Sequence, residues 1–538
     1  MYKRQEFALN GNDNRQKNLR AINVIAKDFG VVNGIHISDL YIHDVNGNLN
    51  AKWNGGIFFD VRASVEDGEL RGTPTKFHDV LIEGNVLERV DRSGIKLVSS
   101  GWANQSLQNA PSTPLNWYPS TGVVVRDNQM RFMGGDAITV RDTDGALIEY
   151  NLARHSRYQN TGYNAGIWPF QTTNTVIQYN EVSHTHGVQD GQGLDTDHVS
   201  SYSVMQYNYS HDNEGGFMLI MNGFPHTAPT IRYNISQNDA DKTFEFARGT
   251  AAGTMIYNNT ISSDSLLQGP RGGVLDLANS GAGTGNREVF IFNNVFHYPE
   301  GQRFYVGEAD TMKTRAKLFN NSYSGGIAVP AEEERALVAD PGLVWGSAPS
   351  DNLDASEALT GGAVGDHFDG YTPGEQSPLR GAGVTLDEAI EHFGGTSTDR
   401  RMLSPTEIHA LALQGQSIDF AAGHFMPTVP GVTYETDFLG RSLPAVGDEE
   451  GVTIGAIQYA DLAAGGGSGG ETGDGSGTGG AGSAGGSTSD NAQNNANANA
   501  DGDPLATTGA ELPLGLLLLA AFAVSIGMVL SVTRRSLR

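Results

Sequence analysis

The sequence contains no cysteine, which excludes disulfide bonds, thiolate metal sites and cysteine nucleophiles. It is also poor in basic residues, because 35 Lys and Arg stand against 61 Asp and Glu, for a net charge of -26. A surface of that charge repels phosphates, so we expect no nucleic-acid partner. Stability must therefore come from packing and backbone hydrogen bonds, and 70 glycines indicate a fold rich in turns.

Long apolar runs are missing until the carboxyl end, where residues 512–532 are almost wholly apolar and uncharged. About twenty such residues suffice to cross a bilayer as a helix. Arg534, Arg535 and Arg538 follow, and a basic end stays cytoplasmic, which places the preceding chain outside the cell. Residues 1–30 lack an apolar run of signal-peptide type. Because an exported protein needs one, we expect residues 1–29 to be an incomplete N-terminal region.

The pentapeptide Leu505-Ala506-Thr507-Thr508-Gly509 stands just before the apolar span. With the span and the Arg-rich tail behind it, this segment, residues 505–538, resembles the LAxTG sorting signals that sortases of high-GC Gram-positive bacteria recognise. The resemblance implies cleavage after Thr508 and covalent transfer to cell-wall peptidoglycan. The alternative is a plain C-terminal membrane anchor. Both place the protein on the cell surface, with a transmembrane helix in the precursor.

A short phrase recurs between residues 80 and 325, as VLIEGNVL, GVVVRDNQM, ALIEYNLA, TVIQYNEV, SVMQYNYS, PTIRYNIS, TMIYNNTI, VFIFNNVF and AKLFNNSY. After the first interval its Asn recurs every 23 to 35 residues, a period typical of stacked units. The phrases alternate with period two and no capped helix separates them. The pattern therefore predicts an all-β fold, a right-handed parallel β-helix solenoid, with long loops leaving it at residues 62–77 and 100–120.

One Asn recurs at the same position of every phrase, which suggests how neighbouring coils are held together. We expect the Asn residues to occupy left-handed corners and to stack as a ladder of hydrogen-bonded amides. The tyrosines just before them, Tyr150, Tyr179, Tyr207 and Tyr233, are expected to stack along one side of the solenoid. These residues are interpreted as structural.

Motifs after residue 339 extend the likeness. DPGL at 340–343, QSPLRGAG at 376–383, DFLGR at 437–441 and IGA at 454–456 resemble the markers that close many secreted bacterial β-helix proteins. Those families include polysaccharide lyases and glycoside hydrolases. We expect a β-helix over 30–335 and a C-terminal extension over 336–462. The extension is expected to contain a small helical insertion at 385–415, with a helix start at 404–407. A disordered Gly/Ser/Asn-rich stalk is expected over 463–504.

A second strand follows each phrase, and its alternation predicts an outward strip of side chains on neighbouring coils about 4.8 Å apart. The predicted outward residues are Thr139, Arg141, Trp168, Phe170, Asp195, Asp197, Met218, Ile220, Glu245 and Asp276, with Phe217 and Leu219 pointing inward. Aromatic rings beside paired carboxylates are typical of a sugar-binding groove. The residues expected to bind the substrate are Trp168, Phe170, Arg141, His186, His198, His211, Glu214 and Glu245.

The candidate catalytic residues are Asp190, Asp195 and Asp197. Asp195 and Asp197 alternate on one strand and share a face, and Asp212 and Glu214 of the next coil are expected to converge with them. The pair Asp190 and Asp197, seven residues apart, resembles the catalytic aspartates of the β-helix lacto-N-biosidase class of glycoside hydrolases. The resemblance implies a retaining enzyme that releases a disaccharide from milk-type glycans. It gives the two aspartates the roles of acid/base and nucleophile in either order.

Two other functions remain open. A polysaccharide lyase would bind Ca²⁺ among Asp190, Asp195, Asp197 and Glu214 and need a basic residue as catalyst, but the strip offers no lysine. A non-catalytic glycan-binding adhesin fits wall anchoring equally well. The four histidines His184, His186, His198 and His211 could suggest zinc, but the His-x-His motif is weak evidence without a third aligned ligand. We therefore expect no metal cofactor unless a lyase uses calcium.

Overall fold

The computed structural model describes residues 5–8, 17–104, 116–159, 162–222, 228–251, 253–278, 288–348, 367–394, 426–444 and 451–459. The chain divides into a unit of residues 1–465 and a unit of residues 466–538, and every described residue belongs to the first. The predicted stalk, the LATTG segment and the apolar span lie outside the described residues. Among the residues that are described, no helix has the length and apolar character to cross a membrane.

Successive coils each add one strand to three parallel sheets, which confirms the predicted β-helix. Sheet 1 precedes each Asn turn and consists of Val31–Ser38, Lys76–Glu83, Ser120–Arg126, Leu147–Glu149, Val176–Gln178, Val204–Gln206, Thr230–Arg232, Thr254–Tyr257, Val289–Phe292, Ala316–Phe319 and Glu333–Glu334, with Thr143–Asp144 paired beside its third strand. Sheet 2 follows the turn and consists of Gln5–Ala8, Leu40–Val45, Val86–Val90, Gln129–Met133, Leu152–Arg154, Glu181–Ser183, Tyr209–His211, Ile235–Gln237, Thr260–Ser262, Val295–His297, Ser322–Ser324 and Leu337–Val338. Sheet 3 consists of Arg20–Lys27, Gly55–Arg62, Ser93–Ser100, Ile138–Arg141, Ile167–Phe170, Gln192–Thr196, Gly216–Met221, Lys242–Ala247, Gly273–Leu277 and Tyr305–Gly307.

The remaining elements are short. Antiparallel hairpins form at Ser64–Glu66 with Glu69–Arg71 and at Ala103–Asn104 with Asn116–Trp117, within the two loops that the sequence predicted. Helices span Ala309–Arg315 and Leu386–His392, and a 3-10 turn spans Asp369–Tyr371. The second helix begins in the predicted insertion, where Thr385 and Glu388 form a capping box. The helix start expected at 404–407 lies outside the described residues.

The asparagine ladder runs unbroken through nine coils. Its members are Asn85, Asn128, Asn151, Asn180, Asn208, Asn234, Asn259, Asn294 and Asn321. Each of the first eight donates its side-chain amide to the Asn of the next coil at 2.9–3.0 Å. Asn321 ends the ladder by donating to Glu333 Oε2 at 2.8 Å. All nine are buried, so each bond pairs polar groups that water cannot reach. The predicted amide ladder is confirmed.

The left-handed corner lies one residue earlier than expected. Tyr150, Tyr179, Tyr207 and Tyr233 have φ angles between 49° and 57°, and they, not the asparagines after them, turn the chain. The Asn recurs because its amide bonds to the next coil. The tyrosine rings stack at 5.0 Å and 4.9 Å over the first three coils, and the third and fourth rings lie 6.2 Å apart. The predicted tyrosine stack is confirmed for Tyr150, Tyr179 and Tyr207, whereas the ring of Tyr233 is tilted by 41° against that of Tyr207.

The hydrophobic core lies inside the solenoid. One inward row of sheet 3 is in register across seven strands and consists of Ile95, Ile138, Ile167, Leu194, Met218, Phe244 and Leu275. The predicted inward position of Leu219 is therefore wrong, because Met218 and Ile220 face the core and Leu219 lies in register with Asp195 and Glu245. Gly216, with a φ of 122°, begins that strand in a conformation that glycine favours, and the alternation starts one residue later than counted.

The C-terminal extension packs on the outer side of the tyrosine stack. Phe368, Tyr371 and Phe438 form an apolar cluster with Tyr209 and its neighbours. Arg232 donates to the backbone carbonyl of Tyr434 at 2.8 Å. This layer covers the surface formed by sheets 1 and 2. The candidate functional residues lie on sheet 3, where Asp190, Asp197 and Phe170 keep partial exposure while the outward row itself is buried.

Candidate active site

An outward row of sheet 3 runs the length of the predicted strip. It consists of Lys96, Thr139, Trp168, Asp195, Leu219, Glu245 and Asp276. Neighbouring members are about 4.8 Å apart, the spacing of parallel strands. The strip predicted from the sequence is therefore present, with Leu219 in the place expected for Met218. Its acidic part, from Asp195 to Asp276, is where the catalytic candidates meet.

The aromatic end of the site offers one accessible ring. Trp168 is only 3% exposed, and its indole N–H donates to Asp136 Oδ1 at 3.0 Å, so it forms a buried wall. Phe170 is half-buried and meets the Trp168 ring edge-on at 6.2 Å. The guanidinium of Arg141 lies 4.2 Å from the centre of the Phe170 ring. Of the two rings expected to contact sugar, only Phe170 presents surface to it.

Asp195 lies at the centre of the row and is nearly inaccessible to solvent. Its side chain belongs to the strand Gln192–Thr196, the residue is 4% exposed, and its Oδ1 has no hydrogen-bond partner among the described residues. Burial raises the pKa of Asp195 well above its ordinary value, and the charges of Asp197, Asp190 and Glu245 raise it further. The surroundings of Asp195 therefore favour its protonated form over the ionised one, relative to an exposed aspartate.

Asp190 sits where the chain turns into the same strand. Its φ of 58° is left-handed, and its backbone bridges to Asn164 of the preceding coil, which fixes the turn. The side chain is half-buried. Burial and the charges of Glu245 and Asp197 raise the pKa of Asp190 to about 7. A carboxyl with that pKa is present in both protonated and ionised forms at neutral pH.

Asp197 leaves the other end of the strand. Its Oδ1 accepts the backbone N–H of His198 at 2.6 Å, and the His198 ring lies close by, with Nε2 3.9 Å away. Burial lowers the pKa of His198, so the imidazole is mainly neutral at pH 7. Thr196, not Asp197, pairs with Ile220, and Ile220 faces the core. The predicted outward position of Ile220 is therefore wrong, and Ile220 does not flank Asp197.

Glu245 is a fixed anion within the site. It accepts hydrogen bonds from Gln192 Nε2 at 2.7 Å, from Lys242 Nζ at 2.9 Å and from Arg271 Nη2 at 2.9 Å. Arg271 also bonds to Asp276. The sequence predicted that Glu245 binds substrate. In the structure its carboxylate is already occupied by protein donors, and its charge raises the pKa of Asp190.

The expected convergence of five carboxylates is wrong in part. Asp190 and Asp195 share a site with Asp197 and Glu245, whose charges add to the effect of burial in raising the pKa values of Asp190 and Asp195. Glu214 instead bonds to His186, with its Oε1 3.1 Å from the imidazole Nδ1. Asp212 pairs with His211. The second pair lies on sheet 2, because His211 ends a strand of that sheet.

Sequence reasoning missed two lysines of sheet 3, Lys96 on the outward row and Lys242 beside Glu245. Lys96 belongs to the outward row, so the expectation of a strip without lysine is wrong. It is 1% exposed and donates from Nζ to the Lys52 carbonyl at 2.7 Å, and burial lowers its pKa. The signal was present in the sequence, because alternation that places Ile95 inward places Lys96 outward. Lys242 could not be found in this way, because its position depends on ion pairs with Asp241 and Glu245.

Comparison with known proteins agrees with this fold. The family model described as the right handed beta helix region matches residues 103–261. Lacto-N-biosidase from Bifidobacterium longum subsp. longum is 30% identical over 440 residues, which cover 74% of this chain and 27% of the relative. The chain thus spans about a quarter of that relative's length.

Solved structures show more distant likenesses. The GH136 lacto-N-biosidase from Eubacterium ramulus is 28% identical over 46% of this chain and 41% of its own, with a TM-score of 0.38. A pectate lyase is 13% identical over 72% of this chain and 93% of its own, also with a TM-score of 0.38. From its three parallel sheets and the matching family model, the chain is a right-handed parallel β-helix protein that is similar in sequence to lacto-N-biosidase.

Proposed function

We propose that this chain is a glycoside hydrolase that cleaves an extracellular glycan at the carboxylates of sheet 3. The observation that carries the proposal is the pair Asp190 and Asp197, which flank one strand and include a carboxyl with a pKa of about 7. The sequence similarity to lacto-N-biosidase supports the same reaction class. By that similarity, the substrate is a milk-type glycan from which a disaccharide is released with retention.

In this mechanism Asp190 is the acid/base and Asp197 is the nucleophile. Asp190 donates a proton to the glycosidic oxygen as the bond to the leaving sugar breaks, and Asp197 attacks the anomeric carbon to form a covalent glycosyl-enzyme. Asp190, now ionised, then takes a proton from the water that hydrolyses this intermediate. A pKa near the working pH suits both steps, because the same group must give and accept a proton.

The neighbouring groups have supporting roles. Asp195 is too buried to touch the sugar, so we assign it a positioning role beside the reacting pair. Glu245 supplies the fixed negative charge that keeps a proton on Asp190. Phe170 offers its half-buried ring to the apolar face of a sugar, with Arg141 over the ring.

The lyase alternative gains little from the lysine that the structure adds to the strip. Lys96 has a lowered pKa, as a catalytic base would need. However, it is 1% exposed and its amine already donates to the Lys52 carbonyl. A base in that position does not reach a substrate, and the hydrolase remains the function that the site supports best.

The proposal also includes the location of the enzyme. The LATTG pentapeptide, the apolar residues 512–532 and the terminal arginines stand in the order of a sortase signal. We therefore place the enzyme on the cell wall, covalently linked to peptidoglycan through Thr508. An enzyme there would meet extracellular glycans directly.

Activity is tested by incubating the purified full chain with a panel of glycans that includes milk-type oligosaccharides and identifying the released sugars. Asp190→Asn is compared with Asp310→Asn, a control at a fully exposed helix position far along the chain. We expect the parent and the control to cleave the same glycan, and Asp190→Asn to be slower by about 10²–10⁴-fold. Binding of glycans by the parent without cleavage of any would contradict the hydrolase and favour the adhesin.

A further inference from the structure

A column of side chains marks the corner at the end of four successive strands of sheet 2, from Gln129–Met133 to Tyr209–His211. Phe132, His155, His184 and Asp212 each follow a residue paired in register with its neighbours, and all four have left-handed φ angles between 54° and 60°. We call these four residues the corner column. The Phe132 and His155 rings stack at a centroid distance of 4.7 Å, and the His155 and His184 rings lie 4.9 Å apart, tilted by 45°. The column therefore brings His184 next to Asp212 of the following coil.

His211 adds a second imidazole at this point. It is the last residue of the strand Tyr209–His211, is fully buried, and has its Nδ1 2.8 Å from Asp212 Oδ2. One ligand atom from each of His184, His211 and Asp212 lies within 4.8 Å of the other two. Three nitrogen and oxygen donors from two consecutive coils thus face a common point.

A buried ion pair orients the His211 ring. Glu181 Oε1 lies 3.4 Å from His211 Nε2, and Arg154 Nη2 holds the same oxygen at 2.6 Å. Glu181 is 1% exposed, so its position is set by packing and charge together. A carboxylate behind one imidazole nitrogen is the usual support of a metal-binding histidine, because it leaves the other nitrogen for the ion. Here that other nitrogen, Nδ1, is the one beside Asp212.

We propose that His184, His211 and Asp212 form a zinc site that ties two coils of the β-helix together, apart from the aspartates of sheet 3. The sequence predicted no zinc because the His-x-His motif lacked a third ligand. Asp212, from the next coil, supplies it, and the second imidazole comes from His211 in place of His186.

The donor set favours zinc over calcium. Two imidazoles and one carboxylate suit zinc, whereas calcium takes six to eight oxygen ligands. Zinc ligands lie about 2.0–2.2 Å from the ion, hence about 3.4 Å from one another, so a pair of ligand atoms at the 4.8 Å limit has to close by about 1.4 Å. His184 and Asp212 are half-buried, which leaves the fourth position open to water. In a chain without cysteine, such an ion would supply a cross-link between coils.

The test is calorimetric titration of the purified full chain, after treatment with a chelator, with Zn²⁺ alone and with Ca²⁺ alone. His184→Ala and Asp212→Asn remove one ligand each. His186→Ala is the matched control, because its imidazole is two residues away and pairs with Glu214. Thermal unfolding of each variant, with and without Zn²⁺, shows whether the ion stabilises the fold.

We expect the parent and His186→Ala to bind one Zn²⁺, to unfold at a higher temperature with it, and to be indifferent to Ca²⁺. Affinity should fall by about 100-fold or more in His184→Ala and Asp212→Asn, with the thermal shift lost. If His184→Ala does not fold, the Zn²⁺ affinity of Asp212→Asn tests the proposal by itself. Absence of binding in the parent would overturn the proposal and leave His211 as an imidazolium between two carboxylates. Equal binding in Asp212→Asn, or displacement of Zn²⁺ by Ca²⁺, would overturn it as well.

Discussion

Replacement of Glu245 by Gln tests how the site keeps a proton on Asp190. The substitution keeps the shape of the side chain and removes the charge that, after burial, contributes most to the raised pKa of Asp190. Glu245 lies two strands away from Asp195 in the same row, so the two residues are about 10 Å apart at the spacing of parallel strands. Gln at this position can still accept from Lys242 and contact Gln192, so the fold is expected to persist.

An order of magnitude follows if the strand spacing between Asp195 and Glu245 is also taken for the separation of Asp190 from Glu245. Two unit charges about 10 Å apart interact by about 1.7 kcal/mol at an effective dielectric constant of about 20, which corresponds to roughly one pKa unit. We therefore expect Glu245→Gln to lower the pKa of Asp190 from about 7 to about 6. Asp190 acts first as an acid, so activity is lost as the pH rises through that pKa. The basic limb of the profile should move down by about one pH unit.

The assay is the pH dependence of kcat/KM on a glycan that the parent cleaves, measured for the parent, Glu245→Gln and the exposed control Asp310→Asn. The control should reproduce the parent profile. A folded Glu245→Gln variant whose basic limb coincides with that of the parent would refute the assignment of Asp190 as the acid. A limb displaced to higher pH would contradict the sign of the argument.

Three further outcomes are expected. Asn208→Ala should lower the free energy of unfolding by about 3–5 kcal/mol in denaturant titration, because it leaves buried partners of the ladder such as the Ile177 carbonyl without a hydrogen bond. A loss below about 1 kcal/mol would mean that the ladder is not a major source of stability. Phe170→Ala should raise KM more than it lowers kcat, since its ring is proposed to contact sugar in ground and transition states alike, and an unchanged KM would place the sugar elsewhere. Thr508→Ala should leave the protein in the membrane fraction, and unchanged release by wall-digesting enzymes would argue against covalent anchoring.

The fold was predictable because its main interactions repeat along the sequence. Asn208 and its counterparts recur at coil spacing, so both the period and the amide ladder could be inferred before any coordinates. Which residues of the strand Gly216–Met221 face the core could not be predicted, because Gly216 adopts a positive φ that the alternation of side chains does not reveal. The β-helix also begins earlier than expected, since Arg20–Lys27 already pairs with Gly55–Arg62, before the first Asn phrase.

The candidate site was predictable only along single strands. Alternation placed Asp195 on the outer face, and the resemblance singled out Asp190 and Asp197. The partners of Glu245 depend on long side chains that reach across coils, and Lys242 illustrates this, because its amine also bonds to the Val188 carbonyl. Such contacts depend on coil stacking and loop paths, which local sequence patterns do not specify.

The central claim is that Asp197 is the nucleophile of a glycosidase, and the most direct measurement is the turnover of Asp197→Asn beside its glycan affinity. The substitution keeps the shape of the side chain and its contact with the His198 amide while removing the charge. We expect kcat to fall by orders of magnitude, with the unfolding temperature and the dissociation constant of the substrate close to those of the parent. Full activity of Asp197→Asn on a glycan that the parent cleaves would contradict the account.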